Sequence, residues 1–403
     1  MAECRKPRLI LEKFVSEEEC KELEFIHKSN CTVGYRPNVF STTLSHLIAT
    51  NCPHLIIPII PLREKLREKV EEHFGCEFEL FIEFTALISW CKGASIGWHS
   101  DDNRDYLKQR DFAAVCYLNS YDADFKGGLF HFQDGEPSTL VPIAGDVALY
   151  TADEKNVHSV DEVTEGERIT LTLWFTRNKC HDEDTSLISL LSQISSDSLS
   201  PMFDPFTPFP ASPNMYWFPP NGSLDFQAGF DIRYARLHVL GFNLCPFFDK
   251  SCSGDSEFGM NFLDHLMRAL KLVRGDELFE AEFSNVMHIL QVVQFFYWKT
   301  YRSVVNDVRG KPSIVVPLSD AQQKTVDDLK HTCLKDRGLA ETFFSNAKLA
   351  KSLQDSFDWV SFTDAVDDWG AYTLQLKKDL VINLPFWRLN QSIILCHQDS
   401  YLH

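Results

Sequence analysis

Positive charge is scarce in this sequence. Lys and Arg number 39 against 57 Asp and Glu in 403 residues, a formal net charge of −18. That balance argues against a nucleic-acid backbone or an anionic membrane as the main partner, while a basic polypeptide would be attracted. Long apolar runs are also missing. CPHLIIPIIP (52–61) is short and broken by prolines, so no membrane span is expected. The opening MAECRKPRLILEKF has no long apolar core and no small-residue cleavage site, so it is not read as a signal peptide. No Cys-x-x-Cys pair exists among the 12 scattered cysteines. Reduced thiols, and hence a cytoplasmic or nuclear location, are the expectation.

What is present is ordinary globular material, 44% hydrophobic and 24% charged, in a chain long enough for two domains. SEEECKELEFIHKSN opens with a capping-box pattern, Ser16 and Glu19, and predicts a helix. A second helix is expected from Pro61 through LREKLREKVEEHF. From Phe78 the texture changes to short strands rich in aromatic and β-branched residues: FELFIEFTALISW, FAAVCYLNS, LFHFQ, DVALYT and RITLTLWFT. Their density suggests a sandwich or jelly roll. Residues 179–223, which include SLSPMFDPFTPFPASP, read as a Ser/Pro-rich linker or packed arm. Beyond it, FLDHLMRALKLV, FSNVMHILQVVQFFYWKTYRSVV and SDAQQKTVDDLKHTCLKD carry helical spacing, so 224–403 reads as a mainly helical domain.

One short stretch carries chemistry. In GWHSDD, His99 and Asp101 stand two apart at what reads as a strand end, where both would face one way. An imidazole and a carboxylate, joined by a second imidazole, make the two-His-one-carboxylate set of non-haem iron oxygenases. His158, after the strand DVALYT, is the natural third ligand. An H-x-D pair alone is weak, and a solvated turn is the competing reading. Arg168, past the turn VTEGE, begins an otherwise apolar strand and is suited to grip a carboxylate bidentately; a surface hairpin arginine is the alternative.

Residues 78–177 resemble the catalytic domain of the 2-oxoglutarate/Fe(II) dioxygenases, in the prolyl 4-hydroxylase and procollagen-lysine hydroxylase branch. Gly93 lies six residues before His99 as in that branch, and GGLFHF matches its GGxxxF strand. VPIAGDVALY matches P-x-x-G-x-a-l-x-F, and HSVDEVTEGERITLTLWF matches the closing H-x-V-x-x-V-x-x-G-x-R stretch. The resemblance implies an α+β protein: a double-stranded β-helix (jelly roll) with supporting N-terminal helices in 1–178, followed by the helical C-terminal domain. It implies His99, Asp101 and His158 as Fe(II) ligands and Arg168 as the anchor of the distal 2-oxoglutarate carboxylate. It also implies O2 as cosubstrate, ascorbate as reductant, and hydroxylation of a C–H bond with release of succinate and CO2.

Trp90 and Ile96 stand where many relatives carry tyrosines, and Tyr117 is the candidate to replace that hydroxyl at the cosubstrate. Asp102 could support His99, and Asn119 could reach the cosubstrate, although a solvated carboxylate and a structural amide are the simpler readings. His131 reads as packed or exposed rather than ligating. The expected substrate is a prolyl or lysyl side chain of an intracellular protein or peptide. A non-catalytic interaction module on the same fold, or a cupin-type metal enzyme with another reaction, are the competing classes; neither needs all three ligands together with Arg168.

Overall fold

The computed structural model describes residues 7–197 except 35, 37 and 78, together with 217–218, 230–233, 236, 287–299 and 359–388. The described residues fall into two compact units. One comprises 7–27, 34–197 and 375–388; the other comprises 28–33, 217–236 where described, 287–299 and 359–374.

The first unit is built on two antiparallel sheets. In chain order the elements are β1 (Arg8–Leu11), α1 (Glu17–Asn30, its last three residues counted in the second unit), β2 (Thr32–Val33, also counted in the second unit), β3 (Val39–Thr43), α2 (Leu44–Ala49), α3 (Ile60–Phe74) and β4 (Phe81–Cys91). There follow β5 (Ile96–His99), β6 (Phe112–Tyr117), β7 (Phe125–Gly127), β8 (Phe130–Phe132), β9 (Thr139–Leu140), β10 (Val147–Thr151), β11 (His158–Val160), β12 (Val163–Thr176) and α4 (Glu183–Asp197). The larger sheet runs β1-β10-β6-β12-β4-β3, with β7 also pairing with β12; the smaller runs β5-β11-β8-β9. Ile88, Trp90, Val115, Tyr117 and Tyr150 of the larger sheet meet Phe130, Phe132, Leu140 and Val160 of the smaller in one core. This is the double-stranded β-helix expected from the sequence.

The central strand β12 shows why the fold holds. Ile169, Leu171 and Leu173 are buried on its outer face, while Arg168, Thr170 and Thr172 are buried on the inner one. RITLTLWF therefore alternates, its aliphatic residues facing outward and its Arg and Thr residues inward, with both faces covered. Helices cover the outer face. Arg63 of α3 donates through Nε to Thr85 Oγ1 on β4 at 2.9 Å and pairs with Glu183 and Asp184 of α4, also at 2.9 Å. Burial opposes the Arg63 charge, but Asp184 and Glu183 outweigh it and raise its pKa.

The capping box forms as expected: Glu19 N–H donates to Ser16 Oγ at 3.2 Å and Ser16 N–H to Glu19 Oε2 at 2.8 Å. The helix at Pro61 is α3. Three features differ from the sequence reading. VTEGE is not a turn but the start of β12, where it pairs with β7. Residues 183–197, inside the stretch read as a linker, are helix α4. Strands β1 and β3, too short to show a pattern, extend the larger sheet at its two sides. In the C-terminal half, residues 287–299 are helical, within the helix read at 283–305; Trp359–Arg388 is a helix that the sequence reading did not single out, and the helices read at 262–273 and 319–336 lie outside the described residues. No described helix is long and apolar enough to cross a membrane.

Buried His54 offers a test. Both its ring nitrogens are buried without hydrogen-bond partners among the described residues, and burial, with Lys377 adding to it, holds its pKa well below the ordinary value. The unfolded chain takes up a proton near pH ~6.5 that folded His54 refuses, so its contribution is intact above that pH and is lost as pH falls. Chemical denaturation of wild type should lose up to about 1.4 kcal/mol per pH unit more than His54→Leu below pH ~6.5. Parallel pH profiles for the two proteins would refute this.

Candidate functional site

The site begins with an irregularity in β5. His99 pairs with His158 and Ile96 with Val160, so β5 spends three steps where β11 spends two. The extra residue is a β-bulge, and it leaves Gly97 and Trp98 exposed while His99 and Ile96 both turn toward the inter-sheet space. Asp101 is not on the strand, as the sequence suggested, but in the turn after it. The Asp102 N–H donates to the Ala152 carbonyl at 3.1 Å and ties that turn to the end of β10. His158 opens β11 between β5 and β8.

One donor atom each from His99, Asp101 and His158 lie within 4.8 Å of one another. His158 Nε2 is 3.9 Å from Asp101 Oδ1, and the two imidazole centroids are 4.3 Å apart. Each histidine engages its other nitrogen on the backbone: His99 Nδ1 with the Gly97 carbonyl at 2.8 Å, His158 Nδ1 with the Asn156 carbonyl at 2.9 Å. That fixes Nε2 as the free donor on both rings. Burial lowers the His158 pKa, with Asp101 opposing and His99 assisting, so this imidazole stays neutral and able to ligate. Phe130 stacks on it with centroids 4.8 Å apart. Two neutral-capable imidazoles and a carboxylate with aimed lone pairs suit a divalent iron ion.

Arg168 lies on the inner face of β12, 3% exposed. Among the described residues no carboxylate forms an ion pair with it, and its Nε has no hydrogen-bond partner. Burial lowers its pKa, with Tyr117 and Tyr150 the groups that support its charge. The Tyr117 hydroxyl is likewise buried, with no hydrogen-bond partner among the described residues; the Arg168 guanidinium sits 5.2 Å from the Tyr117 ring centre, near enough to act electrostatically without hydrogen-bond geometry at the hydroxyl. An unpaired buried guanidinium costs several kcal/mol, roughly, unless an anion reaches it. Arg168 and Tyr117 therefore fit a ligand carboxylate, and the three-donor cluster fits the metal beside it.

The other singled-out residues have structural duties. Asn119 donates to the Glu167 carbonyl at 2.7 Å and accepts from the Ile169 N–H at 2.9 Å, so its amide clamps β12 and is turned away from any ligand. Asp102 accepts from Ser100 at 2.8 Å and Lys108 at 2.9 Å, not from His99. His131 is held on the outer side by Thr139 at 2.9 Å and Asp161 at 2.8 Å. Trp174 lies under the Arg110 guanidinium at 4.0 Å. Sequence reasoning missed Tyr150, whose hydroxyl donates to Asp101 Oδ2 at 3.0 Å. Its only signal was a tyrosine at the final F of the P-x-x-G-x-a-l-x-F element.

Known proteins resemble this chain over the same region. Residues 86–176 match the model of the 2OG-Fe(II) oxygenase superfamily. Prolyl 3-hydroxylase 1 of Gallus gallus is 27% identical over 219 residues, covering 44% of this chain and 30% of that protein. The 2-oxoglutarate and iron-dependent oxygenase domain-containing protein 3 of Rattus norvegicus is 30% identical over 128 residues, covering 30% of this chain and 41% of that protein. The chain thus spans less than half the length of these relatives. A solved Pseudomonas putida prolyl-4-hydroxylase aligns with 16% identity and a TM-score of 0.35 over 43% of this chain and 93% of that one. The resemblance to the dioxygenases and to their prolyl-hydroxylase branch is borne out by the family and relative matches.

Gly128 makes room for the arginine. It adopts φ +64°, and a Cβ there would lie 3.0 Å from both Arg168 Cδ and Val163 Cγ2, whereas a Cβ at Gly97 meets nothing within 4 Å. Gly128→Ala should cost about 1–2 kcal/mol in chemical denaturation, and Gly97→Ala less than about 0.5 kcal/mol. Equal losses would contradict the packing described.

Proposed function

We propose that this chain is a 2-oxoglutarate- and Fe(II)-dependent dioxygenase that hydroxylates a prolyl or lysyl side chain of an intracellular protein or peptide. The observation that carries the reading is Arg168, a buried cation without a carboxylate partner among the described residues, in the same inter-sheet space as a His-Asp-His donor set. A ligand bearing a carboxylate at one end and chelating a metal at the other satisfies both at once, which is the shape of 2-oxoglutarate.

Bound Fe(II), with 2-oxoglutarate and O2, supplies the oxidising power that hydroxylates a C–H bond while the cosubstrate becomes succinate and CO2. The chain's residues do the placing. His99, Asp101 and His158 would hold the metal with one donor atom each. Arg168 pairs with the distal carboxylate of 2-oxoglutarate and Tyr117 offers its hydroxyl to the same group. Phe130, Phe132, Val115 and Trp90 keep the space between the sheets dry, which strengthens the Arg168 pairing.

The substrate class draws on two observations. The relatives are named as prolyl hydroxylases, and a net charge of −18 favours a basic polypeptide over an acidic one. The intracellular setting draws on cysteine usage: the 12 cysteines are scattered along the chain and include no Cys-x-x-Cys pair. Ascorbate enters as the reductant that keeps the iron in its ferrous state.

The purified chain with Fe(II), 2-oxoglutarate, ascorbate and O2 should form succinate, measured by mass spectrometry. Asp101→Ala should abolish it, and full activity in that variant would overturn the ligand assignment. Arg168→Ala removes a bidentate charged contact and should raise the 2-oxoglutarate KM by roughly 10²-fold or more, with kcat changed far less. An unchanged KM would remove Arg168 from the cosubstrate site.

A further inference from the structure

Asp101 sits in a turn, so backbone alternation does not set the direction of its carboxylate. Something else must. Its two oxygens are in unlike surroundings: Oδ1 lies 3.9 Å from His158 Nε2, inside the donor cluster, while Oδ2 accepts the Tyr150 hydroxyl at 3.0 Å. Tyr150 comes from β10, 49 residues away in the chain, and is 2% exposed. Its ring is boxed by Phe132 at 5.6 Å, Phe130 at 6.0 Å and His158 at 5.2 Å, and its backbone pairs with Ala113 on one side and Arg8 on the other. The donor is therefore rigid, and the acceptor is on the less regular segment.

We propose that Tyr150 is a positioning residue that commits Asp101 to one-oxygen ligation, by occupying Oδ2 and presenting Oδ1 alone to the metal. The inference rests on the ligand reading given under the proposed function. A carboxylate free to turn could chelate through both oxygens and fill a position that cosubstrate or O2 needs. With Oδ2 engaged, the carboxylate takes one position and the two histidines one each. Hydrogen bonds of this kind to ligating groups are worth about 10–100-fold in metal affinity.

The test is Co(II) binding to the full chain, followed by its visible absorption spectrum, in wild type, Tyr150→Phe, Asp101→Ala and the double variant. Tyr150→Phe keeps the ring against Phe130 and Phe132, and unfolding curves confirm that it folds. The expected result is a Co(II) Kd raised at least ~10-fold with an altered spectrum, and no further loss on adding Tyr150→Phe to Asp101→Ala. That last arm separates positioning through Asp101 from a general structural role, which would add its loss in either background. Unchanged affinity and spectrum in Tyr150→Phe, with binding still dependent on Asp101, would overturn the positioning role alone. Wild type that binds no Co(II), or binds it as well without Asp101, would overturn the ligand assignment and this inference with it.

Discussion

A guanidinium held between two sheets, with no carboxylate beside it among the described residues, is the constraint on which this site turns. Arg168 cannot shed its proton cheaply, so the surroundings must tolerate the charge or leave space for an anion. The structure does both. Tyr117 and Tyr150 support the charge from the inner face of the larger sheet, and Gly128 withholds a side chain where the arginine passes. The same two tyrosines link the cation to the donor cluster, since Tyr150 also holds Asp101. Cation, phenols and the His-Asp-His donor cluster form one polar seam in an otherwise hydrophobic interior, and low dielectric makes each member's placement matter more.

That seam depends on strand register. Arg168 is on the same strand as Leu171 and Leu173, and a slip of one residue would turn the guanidinium out and bury the leucines' face inward. β12 is pinned on both sides, by β4 and by β6. β4 is in turn fixed from outside, where Arg63 joins Thr85 to Glu183 and Asp184. The helical layer therefore does more than cover apolar surface: its buried ion-pair network links α3 and α4 to the strand that sets the register of the site. Asn119 adds a second brace, with its amide bridging the backbone on either side of Arg168.

Much of this was legible because it is periodic or because it is chemistry. The five strand segments from Phe78 onward, the capping box at Ser16 and the helix at Pro61 follow from local pattern. Other parts were not. Short β1 and β3 are strands only because β10 and β4 offer them partners. α4 lies in a segment whose serines and aspartates weaken a helical reading, and its burial of Leu187 and Leu191 decides the matter. VTEGE looks like a turn, but β7 supplies it with a pairing partner.

His99, Asp101, His158 and Arg168 could be named from the sequence because donor atoms and charge belong to the side chain, whatever its surroundings. The alternation argument reached Asp101 for the wrong local reason: the residue is in a turn, and a bulge, not a regular strand, aims His99. What only the tertiary structure decided is convergence. Asp102 and His131 carry the same chemistry as the three clustered donors, yet one faces Lys108 and Ser100 and the other Thr139 and Asp161. Tyr150 meets Asp101 across 49 residues of chain. Such contacts are set by sheet register and by the facing of two sheets, long-range quantities that no local pattern of residues encodes.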